Sequence, residues 1–457
     1  MKHVFLTLLP LWFLAASIFA QGEVHQQSAT YEWPSDPLVV NNLHKWQDQK
    51  FGVLLHWGIY AVPGIVESWS ICCEDWIKRD TTMTYEQYKQ WYWNQAELFR
   101  PTDFNPAQWA DVMQRAGMRY MIFTTKHHDG FCLFDSRYTD YSIAQHAFKD
   151  DPRRDALKYV LDAFRDRGFG IGTYFSKPDW HSQYYWWDVF PTKGRNVNYP
   201  IDQYPWRWKQ FQQFTYNQIE EIMSRYGKVD ILWLDGGWVR PTNGQDIQMP
   251  RIAEMARRHQ PGLIVVDRTV HGPYENYQTP ERTVPETQLN YPWESCIPLS
   301  DDWGWVARPR WKSSSQVLNT LIEIVAKGGN LVLGVGPTPQ GLIEPAAVAR
   351  LDSIGSWLGT YGKAIYETVT TPIYHDGDIW FTASKDRKTI YAIRSFPTDG
   401  NKTPTLTWHG NVPKKGTAIR LLGSGRKLSW KTDGDMVTVK LPEKLQAEGL
   451  AMEFTVK

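Results

Sequence analysis

Short apolar runs and amphipathic segments alternate along most of this 457-residue chain. The apolar runs are too short for helices and are apolar on both faces, which is typical of buried parallel strands. We predict these strands at 51–57, 120–125, 169–175, 229–234, 263–266 and 331–335. We predict amphipathic helices at 105–116, 154–167, 206–226, 246–258, 314–327 and 345–361. This alternation favours an α/β fold, a (β/α)8-like (TIM) barrel, over a two-layer architecture.

The pattern changes after about residue 366, where shorter runs alternate apolar and polar residues. Turn-forming residues separate these runs, as in the stretch from Thr432 to Asp435. The predicted strands here are 379–383, 389–393, 418–422, 436–441 and 452–456. We therefore predict a barrel domain over residues 21–366 and a C-terminal antiparallel β-sandwich over residues 367–457.

Residues 1–20 have the composition of a secretory signal peptide. The charged Lys2 precedes a largely apolar stretch, and small residues surround the predicted cleavage point. We expect cleavage after Ala20, with cleavage after Ser17 as the alternative because Ile18 is bulky for its position. The stretch is short for a spanning helix and no second long apolar segment follows it, so a membrane anchor is the weaker interpretation. We therefore expect a periplasmic or secreted protein.

Charge and cysteine content exclude several classes of protein. Lysine and arginine number 50 against 49 for aspartate and glutamate, so we expect no general attraction to nucleic acid or anionic membranes. The four cysteines lack the paired spacing of a zinc site, and we expect most of them to be free and buried. Of the 24 Trp, 23 Tyr and 19 Phe, most should pack in the core, while others offer flat faces on which sugars stack.

Polar side chains follow several of the predicted strands at the point where each strand ends. They are His56, Lys126 to Asp129, Tyr174, Asp235, Asp267 and Arg268. Parallel strands end at the same edge of a sheet, so these side chains should meet at one rim, where barrels place their active sites. A single polar residue at a strand end is usually structural, but five strand ends together indicate a site.

Asp235 is the candidate nucleophile of this site. It leaves a buried run, and we expect Gly236 and Gly237 to leave open space beside its carboxylate. The alternative is that Asp235 caps a following helix. Displacement at a sugar also needs a carboxyl group that protonates the leaving oxygen. Four downstream glutamates are candidates, and chemistry alone does not choose among Glu275, Glu281, Glu286 and Glu294.

Several ordered motifs resemble glycoside hydrolase family 29, the α-L-fucosidases. The similarity covers about residues 36–365. It rests on the motifs FGVLLHWGIYAVP, AGMRYMIFTTKHHDGFCLFDS, GIGTYFSKPDW, DILWLDGGW, NYQTPE, WESC, DDWGW and GGNLVLGVGP. Several such motifs in order are far more specific than any one of them alone.

The resemblance implies a retaining exo-α-L-fucosidase that removes terminal α-L-fucosyl residues from fucosylated oligosaccharides or glycoconjugates, without a metal or other cofactor. Its fold would be a distorted (β/α)8 barrel followed by a β-sandwich. Asp235 matches the family's nucleophile. The residues that match its sugar-binding positions are His56, His127, His128, Tyr174, Arg268, Trp303 and Trp305.

The resemblance is weakest for the acid/base residue. We predict Glu294, within the WESC motif, with Glu286 as the next candidate. Among Glu275, Glu281 and Glu286, we expect at least two to be exposed loop charges.

The resemblance also implies a Glu and a Trp soon after the HWG motif. This chain offers two such pairs, neither with the directly adjacent Glu-Trp of many relatives. We favour Glu67 with Trp69 over Glu74 with Trp76, because of their distance from His56.

Two other functions compete with this prediction. A metal-dependent hydrolase could use His127, His128, Asp129 and Asp235 as ligands, although adjacent strand histidines point in opposite directions. A secreted fucose-binding protein would keep the pocket without turnover, and the candidate carboxylates argue against it. We assign no oligomeric state.

Overall fold

A computed structural model describes residues 31–397 and 402–456 of the chain. The predicted signal peptide lies outside the described residues. Within them, no helix is both long and apolar enough to cross a membrane.

Seven parallel strands form a curled sheet in the order β5-β4-β3-β2-β1-β7-β6. Nearly all of their residues are buried, as expected for strands covered on both faces. The strands are β1 Phe51–Leu55, β2 Tyr120–Lys126, β3 Gly170–Ser176, β4 Ile231–Asp235, β5 Ile264–Asp267, β6 Glu294–Pro298 and β7 Asn330–Val335. The sequence analysis did not predict β6, whose Glu and Ser interrupt the apolar pattern.

An irregular segment, residues 275–282, occupies the position between β5 and β6 where an eighth strand would lie. Asn276 donates its backbone N–H to Val265, 2.9 Å away on β5. Farther along, Glu281 forms a parallel β-bridge with Cys296 on β6. This segment therefore closes the predicted (β/α)8-like barrel and carries Glu281 along its wall.

Eight helices surround the sheet within the described residues. They are α1 Pro37–Gln49, α2 Tyr85–Trp93, α3 Pro106–Arg115, α4 Ala156–Arg165, α5 Pro205–Arg225, α6 Met249–His259, α7 Ser314–Ala326 and α8 Pro345–Tyr361. Helices α1 and α2 were not predicted. Helix α1 packs Trp46 against Tyr277, with ring centroids 4.0 Å apart, and accepts a hydrogen bond from Asn330 at the start of β7. It thereby covers the amino end of the barrel.

The C-terminal domain is an antiparallel β-domain in which eight strands follow the order β11-β14-β13-β12-β15-β10-β9-β8. They are β8 Val369–Asp376, β9 Ile379–Ala383, β10 Thr389–Arg394, β11 Thr405–His409, β12 Ile419–Leu421, β13 Lys427–Asp433, β14 Met436–Lys440 and β15 Leu450–Thr455. The curled sheet encloses its own apolar core around Phe381, Trp408 and Phe454. The predicted order of a barrel and then an antiparallel β-domain is confirmed.

All four cysteines lie among the described residues and are free. Cys72, Cys132 and Cys296 are buried, and Cys73 is partly exposed. This confirms the prediction that most of them are free and buried.

Candidate active site

The carboxyl ends of the barrel strands bring polar and aromatic side chains together, as predicted. The His56 ring lies 5.5 Å from that of His127 and 5.3 Å from that of Tyr174, measured between ring centroids. The rings of His127 and Tyr174 are stacked at 5.6 Å. Three strands thus form one wall of a pocket at this end of the barrel.

Asp235 ends β4 at the bottom of this pocket. Its Oδ2 accepts a hydrogen bond from the Tyr174 hydroxyl at 2.7 Å. Its Oδ1 accepts one from the Arg268 guanidinium at 2.6 Å, and the His128 Nε2 lies 3.7 Å from Oδ2. The side chain keeps 18% of its surface exposed, so a ligand in the pocket can touch it.

The surroundings of Asp235 hold it as an anion. Burial alone would raise its pKa, but the charge of Arg268 and the Tyr174 hydrogen bond outweigh burial and hold the pKa well below its usual range. A carboxylate that stays ionised at every working pH suits a nucleophile.

Gly236 and Gly237 do not leave open space beside this carboxylate, which corrects that expectation. A Cβ at Gly236, where φ is +87°, would lie 2.3 Å from the Pro178 ring. A Cβ at Gly237 would lie 1.9 Å from the Thr269 hydroxyl. The glycines instead let the loops after β3 and β5 pack directly against the end of β4.

His127 and His128 are both buried and neutral. Burial is the main cause that lowers the pKa of His127 to about 4 and that of His128 well below its usual value. His127 Nδ1 lies 2.6 Å from the Ser68 hydroxyl, and His128 Nδ1 forms a hydrogen bond with Ser176. Both imidazoles are therefore fixed through Nδ1.

His56 and Trp303 form a second wall. Their rings stack with centroids 5.5 Å apart, and both residues are buried. His56 Nδ1 is buried and has no hydrogen-bond partner among the described residues. Burial, followed by the neighbouring His127, holds the pKa of His56 well below its usual value. The Trp305 indole N–H donates to Glu344 at 2.8 Å.

Arg268 joins Asp235 to a second carboxylate. Its second terminal nitrogen donates to Glu281 at 2.9 Å, and its Nε donates to Thr279 at 3.0 Å. The Glu281 side chain is 28% exposed. A retaining glycosidase requires two carboxyl groups, one to attack and one to transfer a proton, and Arg268 brings two carboxylates together here.

Glu294 does not lie in the pocket. It begins β6, at the amino end of the barrel, and it has no exposed surface. Its Oε2 accepts a hydrogen bond from the Tyr120 hydroxyl at 2.6 Å. Burial raises the pKa of Glu294 to about 7, a value suited to an acid, but an acid must touch the leaving oxygen and Glu294 cannot. The structure therefore argues against the expected acid/base assignment.

The other two glutamates of the downstream segment also differ from expectation. Glu286, the second candidate, is exposed. Glu275 is buried, and it accepts a hydrogen bond from the backbone N–H of Thr269 at 2.7 Å. Since Glu281 is only partly exposed, the prediction that at least two of the three are exposed loop charges is wrong. The clue in the sequence was that Glu281 ends the NYQTPE motif.

The Glu67 and Trp69 pair lies at the pocket. Glu67 is 3% exposed and accepts a hydrogen bond from the backbone N–H of Gly304, next to Trp303. Burial, and then the charge of Asp302, raise the pKa of Glu67 to about 7. The Trp69 ring lies 5.2 Å from that of His128.

The Glu74 and Trp76 pair lies farther out. Glu74 forms an ion pair with Arg195 at 3.0 Å, and the Arg195 guanidinium lies 4.9 Å from the Trp69 ring. Trp76 is 39% exposed and lies 5.3 Å from Trp69. This second pair therefore supports the wall that the first pair forms.

His127, His128 and Asp235 also meet the spacing of a metal site, since one ligand atom of each lies within 4.8 Å of the others. Both oxygens of Asp235 already accept hydrogen bonds, one of them from the Arg268 cation. A metal ion would have to displace Arg268 or lie beside its charge. The charge of Arg268, rather than the types of ligand, therefore argues against a cation at this position.

Comparison with known proteins places the chain in a family. The chain matches a family model described as Alpha-L-fucosidase over residues 18–363 and the alpha-L-fucosidase C-terminal domain over residues 374–457. It is 30% identical to the plasma alpha-L-fucosidase of Homo sapiens, over 90% of this chain and 88% of that protein. It is 27% identical to the tissue alpha-L-fucosidase of Homo sapiens, over 98% of this chain and 95% of that protein.

Solved structures agree with this similarity. Alpha-L-fucosidase isoenzyme 1 from Paenibacillus thiaminolyticus superposes with a TM-score of 0.77 at 26% identity, covering 92% of this chain and all of that one. The Thermotoga maritima alpha-fucosidase in complex with fucose superposes with a TM-score of 0.71 at 29% identity, covering 90% and 96%. With a family model matched over most of its length, this chain belongs to the α-L-fucosidase family of glycoside hydrolases.

Proposed function

We propose that the protein is a retaining exo-α-L-fucosidase in which Asp235 is the nucleophile and Glu281 the acid/base. The observation that carries this proposal is the single guanidinium of Arg268, which holds both carboxylates at the open end of the barrel. Family membership supports the activity, and the geometry supports the two roles.

The pocket suits a deoxy sugar that has hydroxyls on one side and an apolar group on the other. The imidazoles of His56, His127 and His128 are neutral, so a ring nitrogen of each can donate to or accept from a sugar hydroxyl, according to its tautomer. The indole of Trp303 offers a flat apolar face to a methyl group or a C–H surface.

The two carboxyl groups divide the chemistry between them. One guanidinium cannot neutralise two carboxylates, and Asp235 has a further donor in Tyr174. We therefore assign to Glu281 the proton that the leaving oxygen needs. In a retaining enzyme the two groups lie about 5 to 5.5 Å apart.

The reaction then has two steps. Asp235 attacks the anomeric carbon while the bond to the leaving oxygen breaks and Glu281 protonates that oxygen. This step leaves a fucosyl ester on Asp235 and an anionic Glu281. Glu281 next takes a proton from water, whose oxygen attacks the anomeric carbon and frees the Asp235 carboxylate.

Hydrolysis of an aryl α-L-fucoside tests the proposal. We expect release of the aryl alcohol, and proton NMR of the first product should show α-L-fucose before mutarotation. β-L-Fucose as the first product would contradict a retaining mechanism. Binding of fucose without release of the alcohol would favour the fucose-binding protein instead.

We also propose that residues 1–20 are removed during secretion to a periplasmic or extracellular compartment. The support is the charged start, the apolar stretch and the small residues before the cut. Amino-terminal sequencing of the protein exported by its native host should begin at Gln21. A protein that keeps Met1 and stays inside the cell would contradict the proposal.

A further inference from the structure

Ser176 ends β3 directly behind the pocket wall and is fully buried. Its hydroxyl contacts two partners. One is the backbone carbonyl of Pro178, 3.0 Å away, and the other is Nδ1 of His128. The Ser176 hydroxyl has only one proton, so it can donate a hydrogen bond to only one of these partners. The other partner must then donate a hydrogen bond to the Ser176 oxygen.

A carbonyl oxygen can only accept a hydrogen bond, so the Ser176 proton lies between its hydroxyl oxygen and Pro178. The same oxygen must then accept from His128, which requires a proton on Nδ1. His128 is buried and neutral, and a neutral imidazole carries one ring proton. Nε2 is therefore left with a lone pair.

We propose that Ser176 is a positioning residue that fixes His128 as its Nδ1–H tautomer, so that Nε2 acts as a hydrogen-bond acceptor beside the nucleophile. His128 Nε2 lies 3.7 Å from Asp235 Oδ2, which is too long for a hydrogen bond. Two acceptors thus face the same small volume. The group that satisfies both is a donor, such as a sugar hydroxyl.

The position of that hydroxyl follows from the chemistry, and this step rests on the proposed function. If Asp235 attacks the anomeric carbon, its carboxylate touches that carbon and the two atoms bonded to it in the ring. One of these atoms is the ring oxygen, and the other is C2, which carries a hydroxyl. The acceptor pair of His128 and Asp235 therefore selects a substrate with a free 2-hydroxyl and disfavours groups that cannot donate there.

Nitrogen NMR of the free enzyme tests the tautomer directly. Protein labelled with ¹⁵N at the histidine ring should show, for His128, a protonated Nδ1 and an unprotonated Nε2 at neutral pH. The His128 signals are identified by their loss in His128→Gln. A protonated Nε2 would overturn the proposal. The measurement uses the wild-type protein without substrate, so it stands whether or not Asp235 proves to be the nucleophile.

Inhibition by fucose analogues tests the selectivity. 2-Deoxy-2-fluoro-L-fucose retains an electronegative group at C2 but cannot donate, so we expect it to inhibit the wild-type enzyme about tenfold more weakly than L-fucose. In Ser176→Ala, His128 can change tautomer, and this ratio should fall toward one.

Ser295→Ala is the matched control for this experiment, because Ser295 is a buried strand serine that donates to the carbonyl of Thr283 at 2.7 Å. It should keep the wild-type ratio. An unchanged ratio in folded Ser176→Ala would overturn the proposal. Failure of the fucosidase assignment would show differently, as an absence of turnover with every substrate.

Discussion

The barrel contains two carboxyl groups in opposite surroundings. Asp235, at the carboxyl end of β4, shares Arg268 with Glu281 and accepts a hydrogen bond from Tyr174. Glu294, at the amino end of β6, is fully buried and accepts a hydrogen bond from the Tyr120 hydroxyl. The pKa of Asp235 is held below its usual range, whereas burial raises that of Glu294 to about 7.

The difference shows that burial alone does not identify a functional carboxyl group. Burial of Asp235 is offset by a cation and leaves a reactive anion open to the pocket. Burial of Glu294 outweighs its hydrogen bonds and favours a neutral acid that links β6 to Tyr120 on β2. A shifted pKa therefore indicates a catalytic residue only where the group can also touch substrate.

The largest effect should come from removal of the nucleophile. We expect Asp235→Ala to lower kcat by roughly 10⁴-fold and to retain the fold, because the side chain is small and partly exposed. Azide should restore activity by attacking from the vacated face, and the product would be β-L-fucosyl azide. Nearly wild-type turnover in Asp235→Ala without azide would refute the assignment.

A smaller effect should separate the two Glu and Trp pairs. Glu67→Gln changes a buried group at the pocket and should lower kcat/KM by about 10- to 100-fold. Glu74→Gln breaks only the partly exposed pair with Arg195 and should raise KM by less than about fivefold. Initial rates with an aryl α-L-fucoside measure both, and equal losses would show that the outer pair also binds the sugar.

Glu294 should affect the pH dependence of stability. In the folded state the pKa of Glu294 is raised from 4.5 to about 7. Its contribution to the free energy of unfolding is therefore complete below pH 4.5 and is lost as the pH rises through 7. Glu294→Gln removes this titration. The free energy of urea unfolding of the variant relative to wild type should therefore increase by about 3 kcal/mol between pH 4.5 and pH 8.

The control for this titration is Glu286→Gln, which changes an exposed glutamate and should follow the wild-type pH profile. Parallel profiles for Glu294→Gln and wild type would mean that Glu294 is ionised in the folded protein.

The smallest effect should come from chelation. The Arg268 cation already binds Asp235, so activity after dialysis against EDTA should equal that of the untreated enzyme. Loss of turnover that zinc or another divalent cation restores would instead favour a metal site at His127, His128 and Asp235.

Much of the fold was predictable because buried parallel strands leave a strong local pattern. Tyr120 to Thr125 and Ile231 to Leu234 are mostly apolar on both faces, and polar residues of the pocket, His127 and Asp235, follow closely after them. Strand β6 was missed because Glu294 and Ser295 are polar and still buried, each through a long-range hydrogen bond. Local patterns do not encode such partners.

The choice of Glu281 over Glu294 as the proposed acid/base was not predictable from local patterns, although Glu281 ends the NYQTPE motif. Glu281 and Glu294 are 13 positions apart in a loop-rich segment, and neither has a helical or strand pattern. What separates them is which end of the barrel each side chain occupies. The end of the barrel that Glu281 occupies depends on the irregular segment 275–282, which lies beside β6. No local pattern in the sequence predicts this contact.

The dependence of rate on the leaving group, compared between Glu281→Gln and Glu294→Gln, tests the central claim most directly. If Glu281 protonates the leaving oxygen, Glu281→Gln should lose about 10²- to 10⁴-fold with a fucosyl oligosaccharide but far less with 2,4-dinitrophenyl α-L-fucoside, which needs no acid. Glu294→Gln should change both rates alike. The reverse pattern, with leaving-group dependence confined to Glu294→Gln, would contradict the account.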